Sequence, residues 1–439
     1  MEGRRVKLEV PGDKSLSQRA LILSVLGSGR SRLRGSLHGG DAASTRGALV
    51  QLGAAMSEIP ADGGELTVEG LGLSGLKRPD EVLDLGNSGT GTRLLLGVLA
   101  GTGLTAELTG DASLRSRPMR RVTEPLTAMG ARFVHLQDDG RLPLTVHGAH
   151  PLQPIDWSSP VASAQVKSAI LLAGLTGRAS VFVTEPRMSR DHTERLLTGV
   201  GARVTSFAVD GRWRVELRDP PERIDALDFE VPGDFSSAAF LFALAALGGI
   251  RDGAALTVDR VGLNATRTAF LDVLGRMGVD VHVDATSGPE AWEPMGSVTI
   301  GGADLRAATV TGGEIPRLID ELPLVAVLGA RASGTTRITE AVELRAKESD
   351  RIAAMVGNLR AIGVQAEELE DGLEVVGSDR PLKGRVRTEG DHRIAMAFGV
   401  LGSLPGNEIE IDDPGAADVS FPGFWATLRK AAGRGTGTS

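Results

Sequence analysis

At 439 residues the chain has length for two or more domains, and 41% hydrophobic with 24% charged residues fits a soluble globular protein with ample core. A net charge of −8 without a long basic run argues against nucleic-acid or membrane-surface binding as a main function. The absence of cysteine excludes disulfides, thiolate nucleophiles and cysteine metal sites. The first seven residues lack the apolar core of a signal peptide, and apolar runs such as 238–247 fall short of the about 20 residues that span a bilayer, so a cytoplasmic protein is expected.

In chain order, a β-like run over 6–10 ends in a Pro11-Gly12 turn, and an apolar helical pattern follows at once through Leu21, Leu23, Val25 and Leu26. Lys14, Ser15 and Arg19 fall in the first turns of that helix, where unpaired N–H groups and the positive dipole end lie. A hydroxyl, a lysine and an arginine added there suit a small charged anion, a phosphate or a carboxylate. Taken alone, the segment fits an ordinary capped helix with solvated basic residues equally well.

The same unit then recurs. Apolar helices with polar starts begin near Lys14, Ser88, Ser163, Ser236, Leu318 and Asp391, at offsets of 74, 75, 73, 82 and 73 residues. A short strand follows each helix, and then a second helix ends in glycine at Gly53, Gly130, Gly201, Gly278 and Gly363, suiting a left-handed C-cap. Asp-Gly pairs at 62–63, 139–140, 210–211 and 371–372, flanked by alternation, read as hairpin turns. The unit is βαβαββ, six copies suggest two lobes of three, and the natural boundary is the Val231-Pro232-Gly233-Asp234 stretch. The first strand precedes the first helix, so it is free to pair with the second lobe. A repeat array that is purely a scaffold remains open at this point.

The polar residues at the six helix starts differ. The first start carries Lys14, Ser15 and Arg19; the second Asn87, Thr90 and Arg93 on a glycine-rich turn; the third Ser163 and Gln165, with Lys167 nearby. The fourth has no basic residue, the fifth offers Asp320 and Glu321, and the sixth Asp391, His392 and Arg393. Equivalent helix starts aimed at one cleft, with Lys14, Arg19, Arg93 and Arg393, build positive potential suited to two anionic substrates. Arg117 after a strand and Arg190 before a second helix fit the same use. Lys347 and Arg351 are four apart and are expected on one helix face, with Glu348 beside it as a carboxyl able to change protonation state. Taken alone, this last segment reads better as a solvated charged face. P-loop, His-Glu-x-x-His and Gly-x-Ser-x-Gly motifs are absent, His135, His147 and His150 read as structural, and His192 and His392 read as positioning residues.

The segments PGDKSLSQR (11–19), GNSGTGTR (86–93), RSRP (115–118), SAQ (163–165), SRDHTE (189–194), IDELP (319–323), RAKESDR (345–351), GDHR (390–393) and Ser420-Phe421-Pro422 run in order across nearly the whole chain. Together they resemble the motif set of the 5-enolpyruvylshikimate-3-phosphate synthase family. The resemblance implies an α/β (α+β) fold of two lobes, each of three βαβαββ units in an inside-out, barrel-like αβ arrangement, with the active site in the interlobe cleft. The lobes are expected at 13–231 and at 1–12 plus 232–439, joined by two crossing strands. The implied reaction moves the enolpyruvyl group of phosphoenolpyruvate to the 5-hydroxyl of shikimate 3-phosphate, releasing phosphate through a tetrahedral intermediate, in the shikimate route to chorismate and aromatic amino acids. It needs no metal or organic cofactor.

Carried over by motif, Ser15, Arg19, Ser163, Ala164, Gln165, Arg190, Asp320 and Lys347 resemble the shikimate 3-phosphate site. Lys14, Gly89, Arg117, Gln165, Arg351 and Arg393 resemble the phosphoenolpyruvate site. Asp320 resembles the base for the 5-hydroxyl, and Glu348 with Lys14 the acid for the methylene carbon. The resemblance also implies sensitivity to glyphosate beside Gly89, and a monomer. Two positions depart from the family pattern: Asp418-Val419 precede Ser420 where many members have lysine, and Glu343 stands where others have asparagine. The alternatives are a UDP-N-acetylglucosamine enolpyruvyl transferase, which commonly uses a loop cysteine, and a non-catalytic anion-binding scaffold.

Overall fold

The computed structural model of the chain describes residues 5–137, 140–288 and 292–433. Its contacts divide the chain into two compact units, Gly12–Val231 and a split unit of Met1–Pro11 with Pro232–Ser439.

The Gly12–Val231 unit holds three four-stranded sheets of one design. An edge strand pairs in parallel with a second strand, and two further strands follow antiparallel. The second sheet runs Leu83–Asp84, Thr105–Thr109, Leu144–His147, Arg132–His135, and the third Ile155–Ser158, Val181–Glu185, Arg212–Leu217, Val204–Val209. In both, the parallel edge strand comes just before the repeated helix. In the first sheet (Arg30–Arg34, Leu66–Glu69, Ala55–Met56) that place is taken by Asp228–Glu230 from the far end of the unit.

The split unit mirrors this exchange. Arg5–Leu8 pairs in parallel with Ala255–Gly262, which continues through Met295–Ile300 to Val281–Ala285. The next sheet runs Thr309–Val310, Thr335–Ile338, Gly372–Val376, Gln365–Leu369. The sixth repeat is shorter than the expected βαβαββ. Lys383–Val386 pairs only with Glu408–Ile411, and the chain then closes with a helix, Phe424–Ala432. Phe421 and Phe424 pack edge to face with ring centroids 5.5 Å apart, and Phe424 meets Phe240 at 5.8 Å, so aromatic packing replaces the missing hairpin.

The repeated helices are Lys14–Leu26, Gly89–Ala100, Ala164–Thr176, Phe235–Ala246, Leu322–Gly329 and His392–Gly402. They are apolar nearly all round and buried nearly all round, as the interior of a unit requires. Strands such as Arg30–Arg34 and Leu66–Glu69 bury alternate residues only, so the helices are inside and the sheets outside. The sheets stay separate, and none closes into a barrel among the described residues.

The five glycines that end the second helices all have φ between 91 and 113°, the left-handed C-cap that favours glycine. Asp210 and Gly211 turn the Val204–Val209 hairpin with φ of 48° and 73°, a type I′ turn. At 371–372 the turn sits one residue earlier, and Gly372 opens its strand because a Cβ there would lie 1.9 Å from the Ile338 carbonyl oxygen. Of the pair 139–140, Asp139 lies outside the described residues.

Two expectations about helix starts are corrected. The fifth repeated helix begins at Leu322, not near Leu318, with Pro323 in its first turn, where a missing N–H costs no bond. Lys347 and Arg351 do not share a helix face. A 3₁₀ turn, Val342–Ala346, ends at Lys347 in extended backbone, and the next helix, Arg351–Ala361, starts only after Asp350, whose carboxylate caps Ile352 and Ala353.

The Gly89 and Ala164 helices touch through their backbones. A Cβ on Gly97 would fall 2.3 Å from the carbonyl oxygen of Ala169, and Thr176 donates to the Val98 carbonyl at 3.0 Å. Gly97→Ala should force these helices apart and cost about 1–3 kcal/mol of stability in urea denaturation. An unchanged midpoint would show that the contact does not set the helix spacing.

Candidate functional site

In the Gly12–Val231 unit, polar side chains stitch three helix starts together. Gln18 on the Lys14 helix donates to Ser88 Oγ, the cap of the Gly89 helix, at 2.9 Å. Thr90 of the Gly89 helix accepts from Gln165 Nε2 of the Ala164 helix at 3.0 Å. Arg19 closes the set. Its Nη2 donates to Ser168 Oγ at 3.2 Å, its Nε to Thr193 Oγ1 at 2.7 Å, and its Nη1 to Ser15. Three N-termini with their unpaired N–H groups and dipole ends therefore lie side by side, a positive surface made largely of backbone.

Around that surface stand the other residues carried over from the sequence. Ser163 caps the Ala164 helix through the Val166 N–H at 3.4 Å, and Ala164 is its first residue. Arg190 lies in the turn before the helix His192–Gly199. Lys14 Nζ is 3.2 Å from the buried Asp41 carboxylate, a partner the sequence did not signal because Asp41 sits in an unremarkable helix start. Arg117 donates to Asn87 Oδ1 at 2.7 Å, and Asn87 donates in turn to Asp111 at 2.7 Å. Gly89 leaves room for two guanidinium ends. A Cβ would sit 2.9 Å from Arg93 Nη1 and 3.0 Å from Arg117 Nη1, so any side chain displaces both guanidiniums.

In the split unit the helix starts are stitched by charge. Glu321, wholly buried at the start of the Leu322 helix, accepts from Ser236 Oγ of the Phe235 helix, and Arg267 donates to the same hydroxyl at 2.8 Å. Arg351 links the fifth and sixth starts. Its guanidinium meets Glu348 Oε2 at 2.6 Å, Asp391 Oδ2 at 2.8 Å and Asp320 Oδ1 at 3.4 Å. Arg393 Nη1 donates to the Asp320 carbonyl at 3.2 Å. Asp391 caps the His392 helix through the Arg393 N–H at 2.9 Å and accepts from Ser349 at 3.1 Å. Lys347 lies in the extended segment beside Glu348. Burial opposes the charge on Arg351, but the three carboxylates outweigh it and hold its pKa above the ordinary guanidinium value. Burial likewise opposes ionisation of Asp391, and Arg351 outweighs it, leaving that carboxyl below its ordinary range.

Other singled-out residues are structural. His135, His147 and His150 place Nδ1 against the Arg141 carbonyl, Thr105 Oγ1 and the Gly101 carbonyl. Asp418 accepts from the Gly423 N–H at the start of the last helix, and Glu343 lies in the 3₁₀ turn before Lys347. Among the described residues no group of three or more His, Asp or Glu is placed to hold a metal ion, and no helix is long and apolar enough to cross a membrane.

The family model for EPSP synthase (3-phosphoshikimate 1-carboxyvinyltransferase) matches residues 4–428. The chain belongs to the EPSP synthase family. A 3-phosphoshikimate 1-carboxyvinyltransferase of Alkalilimnicola ehrlichii is 46% identical over 423 residues, covering 96% of this chain and 92% of that one. One from Gloeobacter violaceus is 46% identical over 429 residues, covering 97% and 96%. The solved EPSP synthase of Acinetobacter baumannii superimposes with a TM-score of 0.84 at 36% identity, covering 98% of this chain and 96% of that one. As an EPSP synthase, the chain is a transferase of the shikimate pathway that passes the enolpyruvyl group of phosphoenolpyruvate to shikimate 3-phosphate and releases phosphate. The UDP-N-acetylglucosamine reading is not favoured.

The Asp391–Arg351 pair makes stability depend on pH in a defined direction. A carboxyl held below its ordinary value contributes fully above about pH 4 and loses that contribution as pH falls through its folded value. Asp391→Asn should therefore be less stable than wild type at pH 7, with a gap that narrows on acidification toward pH 3. A gap in thermal unfolding that is the same at both pH values contradicts this assignment.

Proposed function

We propose that the two sets of helix starts divide the work of this EPSP synthase residue by residue. Shikimate 3-phosphate is held by Ser15, Arg19, Ser163, Ala164, Gln165 and Arg190, with Asp320 and Lys347 from the split unit. Phosphoenolpyruvate is held by Lys14, Gly89, Arg117 and Gln165, with Arg351 and Arg393. The observation that supports this most is the side-by-side placement of three helix N-termini through Gln18–Ser88, Thr90–Gln165 and Arg19–Ser168. Such a surface offers N–H groups and dipole ends that repel cations and attract phosphate and carboxylate oxygens.

The chemistry needs one base and one acid. In this reading Asp320 takes the proton from the 5-hydroxyl as that oxygen attacks C2 of phosphoenolpyruvate. Glu348, aided by Lys14, delivers a proton to the methylene carbon and later removes one from the tetrahedral intermediate as phosphate leaves. Arg117, Arg351 and Arg393 neutralise the substrate's carboxylate and phosphate. Arg351 contacts both Asp320 and Glu348, so one cation orients both reacting carboxylates. Protein in this reading is a cytoplasmic monomer of 45.8 kDa that turns over in excess EDTA.

Phosphate release from phosphoenolpyruvate plus shikimate 3-phosphate tests the assignment. Glu348→Gln should lower kcat by about 100-fold or more while KM for either substrate shifts far less, since it removes a proton donor and little binding charge. Turnover equal to wild type would remove Glu348 from the chemistry. For glyphosate, Gly89→Ala should raise the inhibitory concentration because its methyl group displaces Arg93 and Arg117; equal inhibition of both proteins would place the inhibitor elsewhere.

A further inference from the structure

Lys167 is an ammonium with no part in the reaction described above, yet its side chain is wholly buried in the Ala164 helix. Its Nζ lies 2.7 Å from Glu194 Oε1 and 3.1 Å from Glu185 Oε2. Both carboxylates are buried, one on the helix His192–Gly199 and one at the end of the strand Val181–Glu185. Two carboxylates against one cation leave net negative charge close to an anion-binding helix start, the sign that weakens anion binding. Desolvating such a cluster is also costly. Its contribution must then come from geometry.

The geometry is specific. Glu185 Oε1 accepts the Ser163 N–H at 2.8 Å, and Ser189 Oγ donates to the same carboxylate at 2.9 and 2.8 Å. One buried carboxylate thereby joins the cap of the Ala164 helix to the turn that carries Arg190. One residue on from Lys167 and one back from Glu194, the Ser168 and Thr193 hydroxyls stand 2.7 Å apart, and both accept from Arg19. Residues 167 with 194 and 168 with 193 are successive rungs, one ionic and one hydroxylic.

We infer that Glu185, Lys167 and Glu194, with the Ser168–Thr193 rung above them, are positioning residues that hold Ser163, Gln165, Arg190 and Arg19 at the spacing shikimate 3-phosphate requires. This rests on the proposed assignment of those four residues. Burial opposes the Lys167 charge, and Glu194 and Glu185 outweigh it, holding the ammonium above its ordinary range. Burial raises the Glu194 carboxyl above its ordinary range in spite of Lys167.

The test is the KM for each substrate, measured by phosphate release, for wild type, Glu185→Gln, Thr193→Val and Thr193→Ser. Glu185→Gln and Thr193→Val should raise KM for shikimate 3-phosphate by about tenfold, with kcat and the KM for phosphoenolpyruvate within about threefold of wild type. Thr193→Ser, which restores the hydroxyl, should return KM to near the wild-type value. Thr193→Val is close in shape to the native residue, so it decides the matter even where Glu185→Gln does not fold. A folded Thr193→Val with unchanged KM for shikimate 3-phosphate beside an active wild type overturns the positioning role and leaves the substrate assignment standing. A wild type that releases no phosphate from this pair overturns the assignment and the positioning role together.

Discussion

Two of the three repeated helices in the Gly12–Val231 unit, those starting at Gly89 and Ala164, lie close because their backbones can touch. Gly97 lets the Gly89 helix rest on the Ala169 carbonyl of the next helix, and an added methyl group there would sit at 2.3 Å. Once the helices are that close, short polar side chains at their starts reach each other: Gln18 to Ser88, Gln165 to Thr90, Arg19 to Ser168. These bonds use side-chain groups, while Asp13, Ser88 and Ser163 each cap one first-turn N–H of their own helix. Apolar burial along the helices and the meeting of polar side chains at their starts are two consequences of one packing arrangement.

The split unit meets the same constraint with charge instead of hydroxyls. Arg351 is buried with three carboxylates around it, and removing the guanidinium would leave all three without their shared partner. That cost makes the arrangement rigid. The same guanidinium orients Asp320 and Glu348, so the groups assigned to proton transfer inherit their placement from a structural ion cluster. Gly89 is a similar meeting of packing and chemistry, since the space it leaves is filled by two guanidiniums.

Much of this was legible in the chain. Five of the six polar helix starts and the glycine caps with positive φ follow from periodicity and capping rules, which act over a few residues. What was not legible depends on contacts between distant segments. Asp41 beside Lys14 and Thr193 beside Arg19 are tertiary facts, whereas the pairing of Arg5–Leu8 away from its own repeat was already open to expectation from its place before the first helix. The Lys347–Arg351 expectation failed locally: spacing of four implied a shared helix face, but Asp350 makes a better cap than Lys347 makes a helical residue, so the helix starts late. The sixth repeat shows no second-helix glycine, but the packing of its closing helix on Phe240, over 180 residues away, was not legible.

The central claim is that Ser15 and Arg19 at the first helix start and Ser163 and Gln165 at the third are an anion site for shikimate 3-phosphate. Crystallography of the protein soaked with that compound tests it directly. The account predicts density for the ligand with oxygens within hydrogen-bond distance of Ser15, Ser163, Gln165 and Arg190. Ligand density that makes no contact with these four residues would contradict it.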